Sequence, residues 1–476
     1  MERVVNINRW QREHVRTQVE LRQLFSQVKT SYSNAPFLTY QERIRRLKTL
    51  KQALLDHQQT LVDAMKLDYG HRSDFDCLIG DILPSLRHLN YTLKHLRRWM
   101  KPQRRRAGRL LMPSKVRIEY QPLGVVGVMV PWNFPIFLSL GPIITALAAG
   151  NRVMVKLSEH TPKTNAVLGD VFAQLEEDVL PIEGDAEIAS YFSQLPFDHL
   201  LFTGSTRVGR MVAQAAAQNL TPVTLELGGK SPVIVGHDAD LDKAVDAIIL
   251  GKSVNNGQVC VAPDYVFVPH GQEMAFVHRY LKRYQANFSR SQQGATHIIN
   301  EQQWVRLHAY LQDAKTKGAR VHTLSSDSTQ DHSMMPHLVT DVSHDMLVMQ
   351  QEIFGPILPV IGYRQLSEAI TYINHRPRPL ALYLMTEDKV LERQVIEQTH
   401  SGGVAINDTL LQVAADDAPF GGIGESGMGH YHGIEGFHTF SKSKTVLSTP
   451  TWLPRSRLIL HYQSLMTTLL RWLFVR

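Results

Sequence analysis

Apolar residues in the first hundred positions recur three and four apart. Ile44, Leu47, Leu54, Leu61 and Met65 form one stripe. Leu86, Leu89, Leu93, Leu96 and Met100 form another, with Lys94, Arg97 and Arg98 on the opposite face. This is the helical period, so residues 8–100 are expected to be a helical layer without chemistry of its own. From about residue 116 the texture changes. Short unbroken apolar runs at 125–130, 152–155, 199–202, 223–225 and 233–235 alternate with helix-period stretches at 143–149, 164–175 and 208–217. Such alternation predicts βαβ units and a doubly wound parallel sheet, whose ligands sit at the carboxyl ends of the strands. Further runs at 265–268, 357–361, 380–385 and 404–406 predict a second α/β unit. The polar stretch 325–337 reads as a loop.

The totals narrow the choices. A chain of 476 residues exceeds one folding unit and points to two. With 43% apolar and 20% charged residues, a large core forms and wholesale disorder is excluded. Only two cysteines, Cys77 and Cys260, are present. They supply neither a disulfide framework nor metal-ligand spacing, which points to a reducing, cytoplasmic setting. The net charge of +7, from 51 basic and 44 acidic residues, is mild for this length. The run Lys101-Pro102-Gln103-Arg104-Arg105-Arg106 lacks the interleaved aromatics of a nucleic-acid patch and reads as a solvated connector. Residues 1–16 carry both charge signs and no apolar core, so no signal peptide is expected there. No apolar run reaches the ~20 residues of a membrane span.

Two further stretches carry open readings. The tail 458–476 is amphipathic, with Leu458, Leu465, Leu469 and Trp472 set against His461, Thr468 and Arg471. It suits a membrane surface, a subunit contact or the protein's own core, and a protein contact is expected. The glycine-dense stretch from Gly421 to Gly429 lacks the spacing of a phosphate loop and reads as a mobile backbone crossing. His430 and His432 have no further ligand-type residues nearby, so no metal is expected.

Six stretches hold candidate chemistry. In Asn255-Asn256-Gly257-Gln258-Val259-Cys260 a thiol follows a polar turn, where a small molecule can reach it; the alternative is a buried cysteine acting as a small hydrophobe. In Pro131-Trp132-Asn133-Phe134-Pro135 an amide at a strand end can donate to an oxyanion, or simply make a turn. Lys156 and Glu159 end a strand where ribose hydroxyls would lie, or form an exposed charge pair. The run from Phe202 to Gly209 places a helix N-terminus where phosphate can bind, or is an ordinary βα turn. Glu226 lies within an apolar strand, where a raised pKa would suit a general base, or it pairs with Lys230. Glu352 and Phe354 can hold a ribose and an aromatic ring face, or mark a helix-to-loop junction.

Taken together and in order, Pro131–Pro135, Lys156–Glu159, Phe202–Gly209, Leu225–Ser231, Gly257–Cys260 and Glu352–Pro356 resemble the aldehyde dehydrogenase superfamily, collinear from about residue 40 to 446. The Glu226-to-Cys260 spacing matches that family. The run from Gln258 to Tyr265, with Phe197-Asp198-His199 and Gly251-Lys252, is similar to the class 3 branch, and within it to the coniferyl aldehyde dehydrogenases. The resemblance implies a dinucleotide-binding domain (1–227 and 408–440) and a catalytic domain (228–407). It also implies an oligomerisation extension from about 107–125 and 441–476, and a homodimer. Cys260 would be the nucleophile, Asn133 and the Cys260 N–H the oxyanion donors, and Glu226 the base for the hydrolytic water. Lys156 and Glu159 would approach the adenosine ribose. Gly204, Ser205 and Gly209 would approach the pyrophosphate, Glu352 and Phe354 the nicotinamide ribose, with Trp132 and Leu227 also at the cofactor. The implied activity is NAD(P)-dependent oxidation of an aldehyde, aromatic and coniferyl-type, with NAD preferred and NADP the alternative. Rival readings are medium- or long-chain aliphatic aldehydes, an acylating coenzyme A enzyme, and a non-catalytic nucleotide binder. Leu157 departs from the usual proline of the family, and Val259 replaces a variable residue beside the nucleophile.

Overall fold

A computed structural model describes residues 17–175, 177–291, 294–325, 327 and 331–474. The expectations for residues 1–16 lie outside it. Helices Gln18–Asn34, Tyr40–Asp56, Gln58–Tyr69 and Leu83–Trp99 form the expected layer. The first two start in capping boxes, Thr17 with Glu20 and Thr39 with Glu42, which satisfy backbone donors that a helix start leaves free. A single π turn, Leu78–Ile82, precedes the last of them and carries the buried Asp81.

The first large sheet contains β1 (Val125–Met129), β2 (Arg152–Lys156), β3 (Val179–Ile182), β4 (His199–Gly204) and β5 (Val223–Leu227). Their order is β5-β4-β1-β2-β3, all parallel, with the short strand Gly427–Met428 antiparallel on β5. Every residue of β1 and β2 is buried, which explains their unbroken apolar texture. The order reverses between β1 and β4, so a crevice opens beyond their carboxyl ends.

The second sheet holds β6 (Pro232–Val235), β7 (Tyr265–Pro269), β8 (Arg320–His322), β9 (His337–Thr340), β10 (Ile357–Tyr363), β11 (Ala381–Met385) and β12 (Gly403–Ile406), in the order β8-β9-β10-β7-β6-β11-β12. Only β8 runs antiparallel to its neighbour. The fold is therefore the doubly wound α/β class read from the sequence, with two sheets joined between Leu227 and Pro232.

Three readings of the sequence are corrected. The basic run is not a connector: Gln103–Arg105 is an edge strand against Lys115–Pro122, which also pairs with Ser441–Ser448. The stretch 421–429 is a tightly packed crossing. A Cβ on Gly427 would lie 2.1 Å from the Leu225 carbonyl, so glycine there lets the strand 427–428 pair with Glu226 and Leu225. His337 opens β9 rather than ending a loop.

Candidate active site

Helix Leu241–Ser253 is capped by Asp240, whose carboxylate accepts from the Asp242 and Lys243 N–H groups. It stops at three consecutive residues with positive φ: Asn255 (48°), Asn256 (53°) and Gly257 (73°). Asparagine tolerates this region better than most residues with a Cβ. At Gly257 a Cβ would also meet the Gly355 carbonyl at 2.6 Å. Gln258 then locks the reversed chain, donating from Nε2 to the Asn255 and His297 carbonyls at 3.0 Å each and accepting the Ile299 N–H at 3.1 Å. The result is a free, half-buried Cys260 on the wall of a cavity of about 1580 Å³.

The end of β1 supplies the facing amide. Asn133 is buried, and its Nδ2 donates to the Gln258 carbonyl at 3.1 Å. An amide nitrogen carries two protons, so one donor remains. The Asn133 carbonyl accepts from Tyr69 Oη at 3.2 Å, Arg72 Nη1 at 3.0 Å and Asn255 Nδ2 at 3.1 Å. Arg72 in turn donates to Asp81 at 2.9 Å, and Asp81 Oδ1 accepts the Ile136 and Phe137 N–H groups. Burial lifts the Asp81 carboxyl to about 6 against the pull of Arg72 and those N–H groups. Tyr69, Arg72 and Asp81 belong to the layer assigned no chemistry. Their signal is faint, a buried-type charge pair nine residues apart in a helical region.

Glu226, the last residue but one of β5, lies in the same cavity, buried, and neither of its carboxylate oxygens has a partner. Burial raises its pKa well above the ordinary value. The alternative pairing with Lys230 is not made. Lys230 Nζ instead donates to Asp264, and to the Val348 and Gln351 carbonyls at 2.7 and 2.9 Å. Asp264 Oδ2 accepts the Ile353 N–H at 2.9 Å, and Arg306 donates to the Glu352 and Ile353 carbonyls. These contacts fix the segment carrying Glu352. Burial pushes Glu352 up to about 7, and its Oε1 has no partner. Phe354 has φ 48°, a sparsely populated conformation for an aromatic residue, and its ring meets Trp132 edge to face at 5.4 Å. Burial, then Glu352 and Glu226, push the Cys260 thiol up to about 12, while the Cys260 and Val261 N–H groups oppose them.

At the far end of the cavity Lys156 is buried, donates to the Leu157 carbonyl at 2.7 Å and lies 3.7 Å from the exposed Glu159. Leu157 donates its own N–H to Ile182 at 3.0 Å, a bond a proline lacks. Gly204 and Ser205 line the cavity where helix Thr206–Ala217 begins, with Ser205 as its cap. Gly209 and Leu227 do not line it; they pack against each other behind its wall. Val259 is buried in the core.

One cavity thus joins a thiol, a side-chain amide, the unpartnered Glu226 carboxylate, the free Oε1 of Glu352 and a helix N-terminus. Residues 9–446 match the profile of the aldehyde dehydrogenase family. The chain belongs to that family. A probable coniferyl aldehyde dehydrogenase of Pseudomonas aeruginosa is 49% identical over 96% of this chain and 97% of its own length. The solved substrate-bound state of Staphylococcus aureus AldH superposes with a TM-score of 0.87 at 34% identity, covering 94% of this chain and 99% of that one. Mycobacterium tuberculosis aldehyde dehydrogenase complexed with NAD+ superposes with a TM-score of 0.84 at 26% identity, over 92% of both chains. This aldehyde dehydrogenase is therefore an oxidoreductase acting on aldehydes. Its cavity fits a nicotinamide dinucleotide. The unpartnered Glu352 oxygen suits a ribose hydroxyl, and the start of helix Thr206–Ala217 suits a pyrophosphate.

Proposed function

We propose that the protein oxidises an aromatic, coniferyl-type aldehyde to its carboxylic acid with a nicotinamide dinucleotide as oxidant, Cys260 carrying the acyl group as a thioester. The observation that carries this is the shared cavity of Cys260, Asn133 and the unpaired Glu226. The sulfur adds to the aldehyde carbon, and the free Asn133 N–H with the Cys260 backbone N–H receives the negative oxygen. The surroundings hold the sulfur protonated, so its activation needs positive charge. A nicotinamide dinucleotide held by Glu352 and the start of helix Thr206–Ala217 would supply that charge and a hydride acceptor. Glu226 then takes a proton from water, which attacks the thioester and releases the acid. Acylating relatives that use coenzyme A generally lack this glutamate, so its presence favours water.

The coniferyl name of the Pseudomonas aeruginosa relative supports an aromatic substrate. Glu159 beside Lys156 supports NAD, because a carboxylate accepts from a ribose hydroxyl and repels a 2′-phosphate. The open edge of strand Ser441–Ser448 supports a homodimer. Two free thiols support a cytoplasmic setting. Following reduced cofactor by absorbance with coniferyl-type and aliphatic aldehydes, and with each cofactor, tests the reading. Higher kcat/KM for the aromatic substrate with NAD is expected; a preference for aliphatic substrates, NADP, or a coenzyme A requirement overturns the corresponding part.

A further inference from the structure

The C-terminal helices, Arg455–His461 and Gln463–Phe474, pack chiefly on one another and leave their apolar side chains in solvent. Among these, Leu465 is 65% and Trp472 67% exposed. Projected at 100° per residue, Tyr462, Leu465, Met466, Leu469, Leu470, Trp472 and Leu473 fill an arc of roughly 160°, with Gln463, Ser464, Thr467, Thr468 and Arg471 opposite. The tail does not cover the protein's own core, which removes one of the three readings of its sequence.

Its position adds a second observation. Arg455 Nη2 donates to the Leu111 and Met112 carbonyls at 2.6 and 3.1 Å. That contact sets the start of the tail on the segment that carries the exposed Leu110 and Met112, in the same stretch of chain as the exposed Arg104, Arg105 and Arg109. Residues 101–117 hold seven Lys or Arg and no Asp or Glu; residues 441–476 hold six and none. The two stretches are paired in one sheet through Lys115–Pro122 and Ser441–Ser448. Their thirteen positive charges exceed the net charge of +7, so the rest of the chain is net acidic. Within this region Arg117 is partly neutralised by Glu119.

We propose that this face binds the surface of a bilayer rich in anionic phospholipid. An interfacial helix buries its apolar arc at the headgroup boundary, and nearby cations are drawn to anionic headgroups. A second copy seated on the tail helices themselves, as distinct from the strand edge Ser441–Ser448, is a poorer occupant, because residues 101–117 and 455–476 offer no Asp or Glu to meet the cations of a facing copy. The attachment is peripheral: among the described residues no helix is long and apolar enough to cross a membrane.

The full-length protein, sedimented with phosphatidylglycerol-containing vesicles and with vesicles of phosphatidylcholine alone, provides the test. Binding to the former and weakening with added salt are expected. The combined Leu465→Glu, Leu469→Glu and Trp472→Glu variant should bind about tenfold or more weakly, and so should Arg104→Ser, Arg105→Ser and Arg106→Ser, with aldehyde oxidation unchanged in both. Absent wild-type binding, binding indifferent to headgroup charge, or unchanged binding by the variants overturns the proposal. So does a fall in the sedimentation coefficient of the Glu variant in lipid-free buffer, which would make the face a contact between copies.

Discussion

The Arg72 guanidinium donates through Nη1 to the Asn133 carbonyl at 3.0 Å, with both residues buried. Its other arm holds Asp81 at 2.9 Å, and Asp81 holds the start of helix Phe137–Ala149. The oxyanion donor is therefore placed by a charge pair with no exposed surface. Removing the cation leaves a buried carboxylate uncompensated. Arg72→Met should destabilise the protein by about 3–5 kcal/mol in denaturant unfolding. In whatever fraction stays folded, kcat should fall more than KM rises, since the lost contact positions an amide that acts on the reacting oxygen. A variant of wild-type stability and kcat would refute this.

Gly257 answers two demands at once, a φ of 73° and the Gly355 carbonyl 2.6 Å from any Cβ. Gly257→Ala should cost about 1–3 kcal/mol from the backbone conformation alone, before the steric contact is counted. It should also displace Cys260, seen as lost turnover with cofactor binding retained. Retained turnover would show that the reversed turn is not what aims the thiol.

The thiol should behave as a weak acid in cofactor-free enzyme. With Cys260 pushed up to about 12 by burial, Glu352 and Glu226, its alkylation by iodoacetamide should be slow at neutral pH. The rate should rise about tenfold per pH unit through the alkaline range. Replacing both carboxylates by Gln removes negative charge beside the sulfur, so the whole profile should move to lower pH. A plateau near neutrality in the wild type would mean that the protein alone forms the thiolate.

Glu352 titrates at about 7 in the fold, against 4.5 in a free carboxyl. Between these values the folded chain binds more protons than the unfolded one, so stability falls as pH rises through that window. Glu352→Gln removes this loss. The Tm of the variant relative to wild type should therefore increase from acid pH to about pH 8. A difference independent of pH would contradict the raised value.

Much of this was legible in the sequence because apolar runs end abruptly in polar residues. β1 leads to Asn133, β2 ends in Lys156, and β5 carries Glu226, so period and punctuation marked the candidates, and the family resemblance of their order joined them into one site. What stayed hidden are contacts made across long separations. Tyr69 and Arg72 reach Asn133 over more than sixty residues, and nothing in a helical stripe marks which polar member turns inward. Lys230 read in the sequence as a partner for Glu226, and only packing gives it Asp264 instead. The glycines from 421 to 429 read as mobile because glycine also serves freedom, whereas here it permits backbone to lie on backbone at β5. Gly209 and Leu227 support the cavity from behind instead of lining it, a distinction of side-chain direction that a motif does not carry.

Trapping the acyl enzyme tests the central claim most directly. Glu226→Gln lacks the base for hydrolysis, so the protein mixed with aldehyde and oxidised cofactor, quenched in acid and digested, should carry the acyl mass on the Cys260 peptide. Because Cys77 is the only other thiol and is buried, the assignment is unambiguous. An adduct on Cys260 with one equivalent of reduced cofactor formed is the predicted result. Cofactor reduction at wild-type steady rate with no adduct, or an adduct on another residue, would contradict it.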